Sequence, residues 1–418
     1  MTAQIRQNLL ANKVETGLRF TQELGELSNI VDENGDPIPD TEVDKSPAYL
    51  ASIKILEGIN EDHKSVEEVM NFFATNSFQN SENKIELINI SAIIPFKIEV
   101  KTDNDGTTAD NQFEIPIESN KWKYSYNVDC NSDGIYEATG IEENYICTYS
   151  KEGNYTISIT GLFPQIYFAH DGDRKKLIDI QQWSNGKWLS MEDSFSGCEN
   201  TTMSAVDTPD LTEVNTTRRM FYNALMFDGN ISDWDVSHIT DMFSMFNSAS
   251  IFNQPIGDWN VSNVIDMSGM FFGAKEFNQN INQWNVGHVK SMNNMFSNAV
   301  KFNQPIGDWN VSSVTNMAYM FNAASEFNQP IGDWDVSHVT NMEAMFANAY
   351  SFNQDISKWD VSSVKNMSYM FYSASSFSNH DLSQWDVYNV TLYYNFSKDM
   401  GSNNILPQWR IFNSDNGL

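Results

Sequence analysis

The chain is poor in cysteine, with three in 418 residues: Cys130, Cys147 and Cys198. Three are too few for a disulfide scaffold, and their spacing lacks the pairing of a zinc site. It is also short of positive charge. Twenty-five Lys and Arg stand against 55 Asp and Glu, which leaves a net charge of -30. That balance repels phosphate backbones and anionic lipid surfaces, so nucleic acid is not an expected partner. No stretch approaches the roughly 20 apolar residues that cross a bilayer, so no membrane insertion is expected. Residues 1–7 lack a basic start followed by an apolar core, so no signal peptide is visible. Phosphate-binding glycine loops, metal-protease spacings and a nucleophile placed with a base are missing as well. His238, His288 and His338 fall at one repeat position in alternate coils, as a tolerant surface position would. No residues stand in mutual catalytic roles, and an enzyme is not expected.

What the chain has is a repeat. Phe252-Asn253-Gln254-Pro255-Ile256-Gly257-Asp258-Trp259 returns from Phe302 and again from Phe327. Trp234, Trp259, Trp284, Trp309, Trp334 and Trp359 stand 25 residues apart. Self-similarity at this period signals stacked coils, each one burying the apolar face of its neighbour. Ile180, Trp183, Trp188, Met191 and Phe195 carry the pattern further upstream, and Pro209 and Thr217 mark a degraded second coil. Beyond Phe396 the pattern fades toward Trp409, as an end cap would.

Within one coil, Trp259 and Val261 share a face of a short extended piece, and Ser262 suits a helix N-cap. Val264, Met267, Met270, Phe271 and Ala274 follow at the spacing of one face of a helical turn or two. The paired methionines read as core filling rather than soft metal ligands. The tryptophan column is read as buried in most coils, against the alternative of an exposed platform for sugars. Asn253, Asn278, Asn303, Asn328 and Asn353 read as a ladder of amides satisfying backbone groups between coils. Between these fixed words the sequence varies. Phe243, Asn294, Tyr319, Glu343 and Tyr369 differ from coil to coil and are the expected binding surface.

Ahead of the repeats, residues 1–91 read as helical, with apolar residues at three- and four-residue steps from 14 to 31 and from 47 to 73. Residues 92–172 change to short alternating β-type runs separated by Asp, Asn and Gly turns, the texture of a small antiparallel sandwich. Within them Asp129, Asn131, Asp133 and Glu137 bring oxygens to alternate positions around Gly134, a spacing that can wrap calcium. Gly140 stands where a helix-loop-helix calcium loop needs a bidentate Glu, which excludes an EF-hand. The other reading is a hairpin whose Asp-Gly turn needs only a positive φ. The expected class is multidomain α+β, in four parts. These are a helical N-terminal segment (1–91), an Ig-like β-sandwich (92–172), a right-handed solenoid of about nine coils (173–398) and a cap (399–418).

Tyr126-Asn127-Val128-Asp129, Asp133-Gly134, Tyr149, Gly153-Asn154-Tyr155-Thr156 and Gly161-Leu162-Phe163-Pro164 resemble a PKD-type immunoglobulin-like domain. That family usually has Trp and His where Cys130 and Cys147 stand, and the two cysteines suggest a disulfide there. The recurring Phe-Asn-Gln-x-Ile-x-x-Trp-x-Val-Ser-x-Val-x-x-Met-x-x-Met-Phe-x-x-Ala resembles the BspA-like leucine-rich-repeat bacterial surface proteins, over residues 180–396. This second resemblance implies a non-catalytic, extracellular or surface-displayed protein that binds or adheres to protein or glycan receptors. A virion structural or receptor-binding protein is the alternative, with the N-terminal segment docking to the particle or to further copies.

Overall fold

The computed structural model describes residues 94–409. The described residues divide into two units, one holding residues 94 and 127–139 and the other residues 95–126 with 140–409. Eight strands lie in the described residues: β1 (Phe96–Lys101), β2 (Gln112–Ile115), β3 (Ser125–Asp129), β4 (Ala138–Ile141), β5 (Tyr145–Thr148), β6 (Asn154–Leu162), β7 (Leu177–Gln182) and β8 (Thr202–Met203). One sheet has six strands in the order β4-β3-β6-β1-β7-β8, and a second pairs β2 with β5.

Alternation builds the larger sheet. Phe96, Ile98 and Val100 of β1 point inward and are fully buried, while the lysines and the glutamate between them are partly exposed. β1 pairs antiparallel with β6 on one side and with β7 on the other. β7 then pairs in parallel with β8, Asp179 opposite Thr202 and Ile180 opposite Met203. The sheet thus changes from antiparallel to parallel at β7, the strand that carries the first repeat residue, Ile180.

From there the coils pair through single-residue parallel bridges: Thr216 with Asp241, Asp241 with Asp266, Asp266 with Ser291, and onward to Asn366 with Leu392. Backbone amides after each bridge alternate in direction. Met242, Ser244, Phe246 and Ser248 donate to carbonyls of the following coil, while Met245, Asn247 and Ala249 donate back to Met242, Ser244 and Phe246. The second set closes three consecutive four-residue turns. The first and third place a left-handed residue third, Ser244 (φ 53) and Ser248 (φ 62), as a type II turn demands. Left-handed residues recur at 269 and 273, 294 and 298, 319 and 323, 344 and 348, and 369 and 373.

The core consists of aromatic columns. Phe246 and Phe271 stack at 5.7 Å between centroids, Phe252 and Phe277 at 6.0 Å, and Phe271 and Phe277 within one coil at 3.9 Å. The tryptophans are buried at 3–4% exposure. Each indole also ties its coil to the one before: Trp284 Nε1 donates to the Ile256 carbonyl at 3.0 Å and Trp309 Nε1 to that of Ile281 at 3.1 Å. The amide ladder is present. Asn253 Oδ1 accepts the Asn278 N–H at 2.9 Å, and Asn278 Oδ1 accepts the Asn303 N–H at 3.0 Å. Gln279 and Gln304 add side-chain bonds to the same oxygens. The turn before each tryptophan has two solutions. Pro255, Pro305 and Pro330 go with glycine two residues on, where a Cβ would stand 2.3–2.4 Å from a carbonyl of the next coil. Asn280 and Asp355 instead fold an oxygen onto the N–H two residues on, that of Asn282 or Ser357.

The expected α+β class is corrected by this architecture. Among the described residues there is no helix, and the regular elements are strands. The predicted helical segment, residues 1–91, lies outside the described residues. In the coils the apolar three-residue steps come from successive turns, which return the chain to the same side just as a helix does. The N-cap assigned to Ser262 is likewise replaced: Asn260 Oδ1 accepts both the Ser262 N–H and its hydroxyl and so closes an Asx turn. No extended strand precedes it, since Trp259 N–H turns back onto the Ile256 carbonyl.

The indole bond fails at one end of the stack. Trp234 Nε1 is buried without an acceptor, because the coil before it is the degraded one. Trp309→Phe removes a bond and leaves the Ile281 carbonyl with the Trp284 N–H alone, whereas Trp234→Phe removes an unpaired donor. Denaturant unfolding should therefore show Trp309→Phe to be the costlier change by about 1–3 kcal/mol. Equal losses would mean that the indole bond contributes nothing.

His380 ends the amide ladder, with its Nε2 2.8 Å from Asn353 Oδ1 and its ring stacked on Phe377. Partial burial holds its pKa below the ordinary value against the pull of Asp355. The folded state therefore takes up the proton later than the unfolded chain. The His380 contribution is constant above about pH 7 and is lost as pH falls through its unfolded value near 6.5. His380→Asn should flatten the fall in Tm between about pH 7 and 5, and an unchanged slope would refute the assignment.

Candidate functional site

The turn geometry decides which residues face outward. The two central residues of the first and third turns are tips, so each coil offers four tip positions, such as Phe243, Ser244, Asn247 and Ser248. Between the tips, Met245 and Phe246 turn inward and are fully buried. Tip backbones are tied across coils, the Tyr319 N–H to the Glu343 carbonyl at 2.7 Å and the Tyr369 N–H to that of Tyr394 at 2.7 Å. The tips therefore form a continuous strip along the stack.

All five residues expected to form a binding surface lie on this strip, in two adjacent columns. Phe243 and Glu343 hold the second position of their turns, and Asn294, Tyr319 and Tyr369 hold the left-handed third position. Tyr319 and Glu343 are brought together, Tyr319 Oη donating to Glu343 Oε1 at 2.7 Å. Asn366 Nδ2 donates to the other oxygen at 3.0 Å. Burial and then this carboxylate push the Tyr319 pKa up to about 12. Phe243 lies apart, under the Arg218 guanidinium at 3.8 Å, and Asn294 bonds Asn293. Tyr369 is exposed and packs edge-on against Tyr372.

Tyr372 and Tyr394 were not singled out in the sequence, although both are tips. The available signal was the column of Gly269 and Gly273, which shows where the chain turns left-handed and hence where its tips are. From 243 to 373 the described tips carry one charged side chain, Glu343, in a chain with 55 acidic residues. Tyr, Asn, Ser, Gly, Ala and Phe fill the remaining tips.

The calcium candidates use their oxygens differently. Asp129 is buried and accepts the N–H groups of Asn131, Asp133 and Gly134 at 2.8–3.3 Å. Asn131 Oδ1 accepts the Asp133 N–H, and Asp133 Oδ1 accepts that of Ile135. Glu137 Oε2 accepts the Cys130 N–H at 2.6 Å. These side chains brace the loop. Among the described residues no group of three or more His, Cys, Asp or Glu is arranged to hold a metal ion. Cys130 and Cys147 are disulfide-bonded, and Cys198 is a buried free thiol whose pKa burial raises.

A family model described as "Mycoplasma protein of unknown function, DUF285" matches residues 189–307 and 290–409, more than half of the chain. The chain belongs to this family. The DUF285 matches cover the coils from Leu189, just after their second tryptophan, to Trp409, and contain the tips from 243 to 399. No curated protein and no solved structure matches the chain.

Because backbone N–H groups already occupy the Asp129 carboxylate, chelation with EDTA should leave Tm unchanged. A fall of several degrees, reversed by calcium, would show that the loop regroups its oxygens around a cation.

Proposed function

We propose that this DUF285 chain is a non-catalytic binding protein, displayed at a cell surface, whose tip strip contacts a protein or glycan receptor. One observation carries the reading: positions that vary from coil to coil are the turn tips, while the repeated residues are spent on core, ladder and bridge. Tyr, Ser, Asn and Gly at the tips supply rigid aromatic contact area and adaptable hydrogen bonding, the mixture that loop-built binding surfaces use. The likeness of the repeat to the BspA-like surface proteins supports the same reading.

The test is binding of labelled protein to a panel of intact bacterial and animal cells, read by flow cytometry. The triple variant Tyr319→Ala, Tyr369→Ala, Tyr394→Ala should lose at least about tenfold in affinity with Tm nearly unchanged, since anchors of this type carry most of the binding energy. Retention of full binding by a folded triple variant would sink the proposal.

A further inference from the structure

Charge, shape and spacing together narrow the partner. A chain with a net charge of -30 repels any acidic ligand unless it supplies basic groups. The described tips between 243 and 373 hold no Lys, Arg or His, and the coil that carries Tyr394 adds one charge of each sign, Lys398 over the Tyr372 ring and Asp399 beside it. The one carboxylate between 243 and 373 on these tips, Glu343, has both oxygens engaged, by Tyr319 and by Asn366. The strip therefore suits an uncharged ligand that makes many neutral hydrogen bonds.

Shape points the same way. Protein anchors seat in concave, desolvated pockets. Here the turns are tied flush to one another, small tips such as Ala344, Ala347 and Ser368 are covered, and the rings of Tyr369 and Tyr394 are exposed, so the fitting ligand lies along the strip rather than plugging into it.

The aromatics are spaced for such a ligand. Tyr319 and Tyr369 occupy equivalent tips two coils apart, about 10 Å at the usual strand spacing. In the coil after Tyr369, Asn395 holds the equivalent left-handed tip and Tyr394 the second position beside it, and Tyr372 packs beside Tyr369. Tyr369 and Tyr394 are 39% and 45% exposed, with ring surface open to a partner. A pyranose presents apolar C–H faces to such rings and a rim of hydroxyls to amides and hydroxyls such as those of Asn348 and Ser373. In a linear polysaccharide with a two-fold screw, every second ring shows the same face, which is the two-coil periodicity of Tyr319 and Tyr369.

We infer that the tip strip of residues 319–394 is a binding site for an uncharged linear polysaccharide, lying along the stack with its sugar rings over Tyr319, Tyr369 and Tyr394. Glu343 is a positioning residue that fixes the Tyr319 ring through its hydroxyl. This inference rests on the binding role proposed above for the same strip.

Affinity electrophoresis in gels cast with hydroxyethyl cellulose, with galactomannan, or with polygalacturonate tests it, backed by calorimetry with cellohexaose and mannohexaose. The wild-type chain should be retarded by at least one neutral polymer and not by polygalacturonate. Tyr369→Ala and Tyr394→Ala should each weaken binding about tenfold. Val300→Ala, off the strip, should leave binding unchanged. Circular dichroism on each variant separates lost binding from lost fold. No retardation by either neutral polymer overturns the inference, as does retardation that folded tyrosine variants retain. If the glycans fail while the triple variant still abolishes cell binding, the partner class falls and the binding role stands. If both fail, both fall.

Discussion

The structure depends on one constraint: a coil that contains no helix and no strand must still satisfy every buried backbone amide. It does so by splitting the amides in two. Alternate N–H groups close turns within the coil, and those between them reach the carbonyls of the coil that follows. Neither set suffices alone. An isolated coil would leave half of its turn amides unpaired, so the stack is the smallest unit that accounts for its own backbone. The indole bonds and the Asn-Gln ladder extend the same accounting to two further edges of each coil.

This constraint also separates scaffold from surface. Turns that alternate inward and outward pairs commit Met245 and Phe246 to the core and leave Phe243, Asn247 and Ser248 partly exposed, with Ser244 covered by its neighbours. The outward pairs join the coils chiefly through their backbone, with side chains adding bonds such as that of Asn322 Nδ2 to the Ala347 carbonyl, so their identity can change from coil to coil. The cost is conformational. The third residue of each type II turn is left-handed, a state that disfavours any residue with a Cβ by roughly 1–2 kcal/mol. Tyr319 and Tyr369 sit in that state at φ 58 and φ 60, where Gly269 would be comfortable. A bulky aromatic held at a strained tip fits a position chosen for what it presents rather than for the fold it supports.

The repeats were legible in the sequence because their period is exact in the core residues. Burial of the tryptophans, the amide ladder and the extent of the coils could all be argued from spacing. The helical reading of Val264 to Ala274 failed for a definite reason. Apolar residues three apart mark one side of the chain whether it winds as a helix or doubles back in turns, and periodicity does not distinguish the two. The oxygens of the 129–137 loop admit two readings in a similar way. Alternate oxygen side chains suit a cation, but they suit the N–H groups of a tight loop equally well, and Asp129 takes three of these.

The sequence alone determined the period, the apolar columns, the acidic balance and the places where residues vary. These follow from composition and spacing, which are properties of the chain read as a line. Only the tertiary structure decided that β7 joins the sheet to the coils and that the amides alternate between turn and ladder. It also decided that Tyr319, Glu343, Tyr369 and Tyr394 share one strip. Those facts depend on which residues of different coils face one another and on the sign of φ at single positions. Neither is set by local pattern, because each arises when one coil is packed on the next.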